Sequence, residues 1–411
     1  MYGDPKGREM DRRILLKGVG ALAGVLMLLP AAVAGEVFRV GDVNSYSKFP
    51  SSTEPSQKAM RMVFDEVNAK GGVANGITFE MVSRDDGSSP ASLATVLDEL
   101  TGTGQIDAII GAGLSSTSLA AAAYAKQHKI IYIASHSTTD ALSLDGGNRY
   151  TLRVRSTIRG LVGALMEEAK KKQAKRWALV LPNYEFGLKI AEAFKEHLAK
   201  DFPGAEIVAE QYPAMGKMDV GATTQALMAA KPDAILNGMF GVDLPKFVRE
   251  GELRGLFEGR QVYSVLTGNP EYLRELKDEA PVGWVVTGWP YYAIERPENV
   301  AFVKAWRDLY KEEPGEAALS GYLAAKLLVS MVEKAGSKDT EKMLEVVPGL
   351  TFGSPAGDIT MRGIDNQGNA PVYVGTVELV DGEGRMTDNH EIDTAPYLVP
   401  EAAVRAARPA E

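Results

Sequence analysis

The chain of 411 residues contains no cysteine. That absence excludes disulfides, thiolate metal sites, cysteine nucleophiles and a lipid-modified cysteine anchor. Histidine is scarce as well, and His128, His136, His197 and His390 show no ligand spacing. Isolated histidines are more often surface or packing residues than metal ligands. The sequence has no Gly-x-Ser-x-Gly elbow, no Gly-x4-Gly-Lys-Ser/Thr loop and no His-Glu-x-x-His pair, so the usual signatures of a hydrolase, a phosphate loop and a zinc protease are missing. On these absences neither an enzyme nor a cofactor is expected. Beyond residue 34 no run approaches the 18 consecutive apolar residues of a membrane span.

What is present is globular in composition, 45% hydrophobic and 24% charged, at a length that suits two domains. The N-terminus departs from this average. Arg12 and Arg13 precede an apolar run over 19–29 and the small-residue site Ala32, Val33, Ala34. This reads as a secretory signal cleaved after Ala34. The segment 12–17 resembles a twin-arginine export motif, although Asp11 stands where Ser or Thr is usual, so ordinary Sec export stays open. Removing 1–34 takes away five basic and three acidic residues, moving the formal charge from -9 to -11. An acidic exported protein is a poor partner for nucleic acid or anionic membrane. The expected location is a periplasm, and the expected state a monomer.

From residue 36 strand and helix signals alternate. Strands are expected at 37–43, from 77, at 107–111 and at 129–134, separated by helices ending near 70, at 100 and at 126. The pattern then restarts, with strands at 177–181, 207–212, 233–237, 262–266 and 283–287. Repeated strand-helix units argue for parallel sheets covered on both faces. The expected architecture is α/β, with two Rossmann-like lobes. Helices at 299–311 and 320–334 and strand-like segments at 358–362 and 372–379 are too few for a third domain. Their simplest role is to complete the two lobes, which requires several crossings and makes a hinge. The expected division is a signal over 1–34, lobe one over 35–155 and 290–352, lobe two over 156–289 and 353–390, and a tail over 391–411.

Gly111, Ala112 and Gly113 begin like a dinucleotide fingerprint, but Ser116 replaces the third glycine and no acid closes the next strand. An exported NAD(P)-dependent oxidoreductase remains an alternative on this loop alone. A different reading uses Ser115, Ser116 and Thr117, which place hydroxyls beside the free amides of a helix N-terminus, a ready carboxylate site. His136, Ser137 and Thr138 form a second polar cluster at the end of the next strand. Ligands of open α/β sheets bind at such strand ends. In the other lobe Tyr184, Phe240 and Trp289 follow strands and can wall a ligand or fill the core.

Five segments then carry a family resemblance. VNAKGG, the strand and acidic turn ITFEMVSRDDGSSPASL, NYEFGLKIAEAF, SGYLAAKLL and MRGIDNQGNAPVYVGTV resemble, in order, motifs of the branched-chain amino acid group of type I periplasmic solute-binding proteins of ABC importers. The resemblance implies two lobes that close on one small solute, a carboxylate or an amino acid, and present it to a membrane permease; a ligand-sensing module is the other use of this fold. By position it implies carboxylate contacts at Ser115 and at His136 to Thr138, with Tyr184 and Phe240 walling the ligand. Amino-acid-binding members place an acid after the strand matching 262–266 to hold the ligand ammonium. Here Leu266 and Thr267 stand there, followed by Gly268 and Asn269. The implied solute is a small aromatic or short aliphatic acid without an α-amino group, unless Asp243 or Glu295 substitutes for the missing partner. A branched-chain or other amino acid is the alternative.

Overall fold

The computed structural model describes Met1 and residues 35–408. The expected signal and its arginine pair lie outside the described residues. Chain order runs β1 (Val37–Asn44), α1 (Pro50–Ala69), β2 (Thr78–Asp85), α2 (Pro90–Gly102), β3 (Ala108–Gly111), α3 (Ser115–His128), β4 (Ile131–Ala134) and β5 (Thr151–Arg153). These five strands lie parallel in the order β5-β4-β3-β1-β2. The second lobe follows: α4 (Ile158–Ala169), β6 (Arg176–Val180), α5 (Glu185–Asp201), β7 (Glu206–Gln211), α6 (Val220–Ala230), β8 (Ala234–Asn237), α7 (Asp243–Leu253), β9 (Gln261–Ser264), α8 (Pro270–Leu276) and β10 (Val285–Gly288). Its parallel strands take the order β10-β9-β8-β6-β7.

The chain then returns to the first lobe with α9 (Pro297–Tyr310), α10 (Glu316–Ala335), α11 (Thr340–Glu345) and three short strands, β11 (Thr351–Phe352), β12 (Ile359–Arg362) and β13 (Gln367–Gly368). It crosses again to add the antiparallel pair β14 (Val372–Val380) and β15 (Glu383–Ile392) to the second sheet, and ends in α12 (Glu401–Ala407). The boundary expected at 353 is corrected by this pairing. β12 and β13 belong to the first sheet, joined through Gln367 opposite Arg153, so the return comes at about residue 370. The tail expected from 391 is also no loose end. β15 runs to Ile392, the Tyr397 hydroxyl bonds Glu167 on α4 at 2.8 Å, and Arg362 on β12 donates to the Val399 carbonyl at 2.9 Å. This is a fourth crossing.

Local chemistry accounts for the elements. α1 carries Ala59, Met60, Val63 and Phe64 on its buried stripe and stops at Lys70, before Gly71 (φ 89°) and Gly72 (φ 85°), positions where a side chain would be strained. The Ser89 hydroxyl caps α2 at Ser92 N–H, 3.2 Å, with Pro90 in its first turn. α10 packs along α1 with Leu323, Leu327 and Leu328 fully or nearly fully buried. In the second lobe Trp177 is sealed between Phe194, Phe202 and Tyr263.

The lobes are laced at the crossings. Ser156 and Thr394 hydroxyls both donate to the Ala370 carbonyl, at 3.0 and 2.9 Å. Away from this hinge, α3 of the first lobe lies against α5 of the second. Thr139 donates to Glu185, Glu271 accepts from the Ala317 amide at 2.8 Å, and Arg274 donates to the carbonyls of Glu313 and Pro314 at 3.4 and 3.0 Å. The lobes are closed on each other. Among the described residues no helix is long and apolar enough to cross a membrane.

Candidate functional site

Each sheet reverses its winding direction once, between β1 and β3 in the first lobe and between β6 and β8 in the second. Crevices open at the carboxyl ends of strands at such reversals. In the first lobe this edge holds Asn44, Gly113 and Ser115, with the His136 segment beside it. In the second it holds Tyr184 and Phe240. The Thr139 hydroxyl, beside the first edge, donates to Glu185 at the start of α5, next to Tyr184 on the second.

The hydroxyls along the first edge divide into engaged and free groups. Thr117 bonds the Leu114 carbonyl, Ser118 bonds Tyr132, and Thr139 bonds Glu185. No described residue bonds the side chains of Ser115, Ser137 or Thr138, although these residues are only 3%, 2% and 4% exposed. The Ser137 hydroxyl is fully buried without a partner. Helix α3 has no side-chain cap at Leu114, so the serines do not serve as caps, and the amides of its first turn stay available. Ser116 is exposed and stands apart from the enclosed hydroxyls.

His136 turns its Nδ1 to the Ser135 hydroxyl at 2.8 Å and seals Nε2 away from solvent with no partner. Burial, reinforced by the nearby Arg155 charge, pushes its pKa down to about 3. The imidazole is therefore neutral at pH 7. Gly113 lies against it: a Cβ there would stand 3.5 Å from the His136 Cβ and 3.7 Å from Asn44 Oδ1, itself a buried oxygen without a partner. Gly111 has φ 134°, and a Cβ on it would come within 2.2 Å of the Val43 carbonyl oxygen. That glycine lets β1 and β3 end close together, so its place in the loop is explained without a bound phosphate.

Tyr184 and Phe240 pack with Phe186, ring centroids 5.6 to 6.2 Å apart. Burial raises the Tyr184 pKa, and Glu185 and Tyr272 add to that shift. Leu266 occupies the left-handed region at φ 67°, where a branched side chain is disfavoured by about 1–2 kcal/mol. Its amide donates to the Thr287 hydroxyl at 3.1 Å. Thr267, expected beside it in the site, is fully buried in the turn after β9, where its hydroxyl lies 2.6 Å from that of Ser264. Trp289 is 2% exposed and packs on Tyr291 and Phe302, its indole N–H buried without a partner. It lines a cavity away from the Tyr184, Phe186 and Phe240 rings.

That cavity, about 50 Å³, lies where the lobes meet the hinge, and Arg155, Leu266, Asn269, Trp289, Glu316 and Tyr373 are among its lining. Arg155 Nε pairs with Glu316 at 2.9 Å and Nη1 donates to the His136 carbonyl at 2.9 Å. Burial raises the Glu316 pKa, Arg155 pulls it down, and Glu271 raises it again. Neither acid considered as an ammonium partner stands here. Asp243 accepts from the amides of Gly216 and Met218 inside the second lobe, and Glu295 is exposed. Glu271 and Glu316 do stand together beside Arg155, while Glu185 accepts from Thr139. Glu185 was visible inside NYEFG, but Glu271 and Glu316 meet only because the chain crosses between lobes.

Among the described residues no cluster of three or more metal-ligating side chains occurs. The family profile described as periplasmic binding protein matches residues 43–384. A curated relative from Pseudomonas aeruginosa, a leucine-, isoleucine-, valine-, threonine- and alanine-binding protein, is 23% identical over 86% of this chain and 89% of its own. A solute-binding protein of an ABC transporter from Rhodopseudomonas palustris, solved with 3,4-dihydroxybenzoic acid, superimposes with TM-score 0.78 at 24% identity, covering 87% of this chain and 98% of that one. A branched-chain amino acid transporter binding protein from Streptococcus pneumoniae, solved with isoleucine, gives TM-score 0.75 at 21% identity over 87% of this chain and 100% of that one.

Proposed function

We propose, since the chain belongs to the periplasmic binding protein family, that it is the extracytoplasmic solute-binding component of an ABC importer. Its cleft takes a small carboxylate, held by the hydroxyls of Ser115, Ser137 and Thr138 and the first-turn amides of α3, with the solute body against Tyr184, Phe186 and Phe240. The single observation that carries this reading is the set of three enclosed hydroxyls without protein partners beside an uncapped helix start. A carboxylate accepts hydrogen bonds from all of them. The aromatic-acid complex of the R. palustris protein supports the same solute class. The absence of an acid at Leu266 favours acids that lack an α-amino group, because a buried ammonium without a partner costs several kcal/mol. The second reading, an α-amino acid, is favoured by Glu185, whose Oε2 is buried without a partner.

A thermal-shift panel of aromatic and short aliphatic acids beside their α-amino counterparts tests this. A ligand at 100 times its dissociation constant stabilises the folded state by about 2.7 kcal/mol. The acids should give the large shifts, and Ser137→Ala should weaken their binding by roughly 1.5–3 kcal/mol, about ten- to a hundredfold. A large shift with leucine or valine and none with the deaminated analogue would replace the first reading by the second. Affinity unchanged in Ser137→Ala would remove the hydroxyls from the site. Closure is tested separately: small-angle scattering should show a more compact particle with the best-shifting solute than without it, and equal radii of gyration would count against hinge bending.

A further inference from the structure

The chain that follows β15 lies beyond the segment matched by the family profile, which ends at residue 384. It leaves the second sheet after Ile392 and crosses α4 on its way to the first lobe. Gly160 and Gly163 clear the helix surface at that crossing. A Cβ on Gly160 would stand 3.3 Å from Thr394 Cγ2, and one on Gly163 only 2.3 Å from the Tyr397 ring. Glycine is unfavourable inside a helix, and Gly163 stands in the middle of α4, so the ring rests on a surface that α4 forms at some cost to its own stability. The Tyr397 hydroxyl completes this anchor by donating to Glu167 Oε1 at 2.8 Å. The first-lobe anchors follow at once. The Val399 carbonyl accepts from Arg362 Nη1 at 2.9 Å, and Asp365 holds the same guanidinium through Nε at 2.8 Å and through Nη2. Arg408 donates through Nε to the Leu144 carbonyl at 2.9 Å and through Nη2 to that of Leu142, in a space that a Cβ on Gly147 would fill, 1.9 Å from Nη2. Leu398, Val399 and Val404 are buried along this path.

We propose that residues 394–408 form a taut strap that limits how far the two lobes part. Tyr397, anchored on the second lobe, and Val399, anchored on the first, are two residues apart, a span of at most about 7 Å of chain. Leu398 between them is already extended, at φ -61° and ψ 152°. Pro396 and Pro400 fix φ on either side, and Pro400 holds Val399 to extended conformations. The connection therefore has little slack. Arg408 pins the far end to the loop between β4 and β5, so no chain slides in from that side. A rotation that carries α4 away from β12 must pull the Tyr397 ring off Gly163 or the Val399 carbonyl off Arg362. The neighbouring crossings meet at one point, because the Ser156 and Thr394 hydroxyls share the Ala370 carbonyl. Small rotations about that point leave the strap intact, and wide ones run against it.

The lack of cysteine lets a pair of spin labels report lobe separation without background. Ser116→Cys on the first lobe and Val242→Cys on the second are exposed sites, and pulsed dipolar spectroscopy of the labelled protein, without added solute, gives the distribution of distances between them. Two substitutions reach the same anchor from opposite sides. Tyr397→Ala removes the ring, and Gly163→Ala keeps every strap residue, puts a methyl group in the ring's place and favours the helix, so one folded variant is enough. Each should raise the share of molecules beyond the parent's main peak at least threefold, and Arg408→Met should raise it as well. Distributions that superimpose on the parent's, or that move to shorter distances, would overturn the proposal. A lowered melting temperature with unmoved distances would overturn it too, because the strap would then serve packing alone. Adding the acid with the largest thermal shift tests the cleft separately: it should return the released variants to the short distance, and a widened solute-free distribution that no solute narrows would count against solute-driven closure while supporting the strap.

Discussion

Taking the protein from pH 7 to pH 4 is expected to remove about 3 kcal/mol of stability through His136 alone. The folded-state pKa of this imidazole is held at about 3, against 6.5 when exposed. Between those values the unfolded chain binds a proton that the folded chain refuses, so stability rises with pH across the window and falls as the solution is acidified. The cause is burial of Nε2, with Arg155 opposing a second positive charge. The full shift corresponds to at most about 5 kcal/mol below pH 3. Partial exposure of the residue as a whole makes that figure an upper bound. Denaturant titrations of the wild type and His136→Gln at pH 7.5, 5.5 and 4 read the effect: the variant should lose about 3 kcal/mol less than the wild type on reaching pH 4. Parallel losses in the two proteins would show that His136 charges freely in the folded state.

The second large effect has the opposite sign. Asp140 is 5% exposed, one carboxylate oxygen accepts from the Arg159 amide at 3.2 Å, and the other is buried without a partner. Burial pushes its pKa up to about 6 from 3.8, although Arg153 and Arg159 pull it down. For an acid raised in this way the folded state holds the proton longer. Its contribution is therefore fully present below pH 3.8 and is lost as pH rises through 6, a penalty of about 3 kcal/mol at neutral pH. Asp140→Asn imitates the protonated acid, so it should stabilise the protein by up to about 3 kcal/mol at pH 7.5 and by almost nothing at pH 4. A variant less stable at pH 7.5 would show that the two arginines stabilise the charged form more than burial destabilises it. Because the two windows overlap between pH 4 and 6, these contributions largely cancel in the wild type, and only the paired variants expose them.

The alternation that reveals both lobes was legible because most parallel strands here are short apolar runs separated by amphipathic helices, as 107–111 and 233–237 illustrate. Several elements escaped, β5 and α4 among them. β5 has three residues, too few to show a period, and α4 buries Ile158, Leu161, Val162, Leu165 and Met166 together, which leaves no polar face to mark it as a helix. The lobe boundary near 353 was misplaced because β12 and β13 are assigned to the first sheet by long-range pairing, which no local pattern encodes. Of the proposed carboxylate contacts, Ser115 was readable as a polar helix start and Ser137 and Thr138 as polar residues after a strand. The hydroxyl of Thr267 is taken up by Ser264 in the turn after β9, a pairing that the sequence pattern does not show. Arg155, Glu271 and Glu316 were invisible for a topological reason: they come from three separate passes of the chain, and Glu271 reaches the other two from the second lobe.

The bonds that protein groups alone make between the lobes, from Thr139 to Glu185, Glu271 to Ala317 and Arg274 to the carbonyls before α10, bear on populations. Each favours the shut arrangement whether or not the cleft is occupied, so the shut form makes up a larger share of empty molecules than solute contacts alone would give. Affinity measured for a shut-binding solute rises with that share, since less of its binding energy goes into moving the equilibrium. The same bonds slow capture, because a solute enters only while the jaws stand apart, and its association rate is then set by how often they part rather than by diffusion.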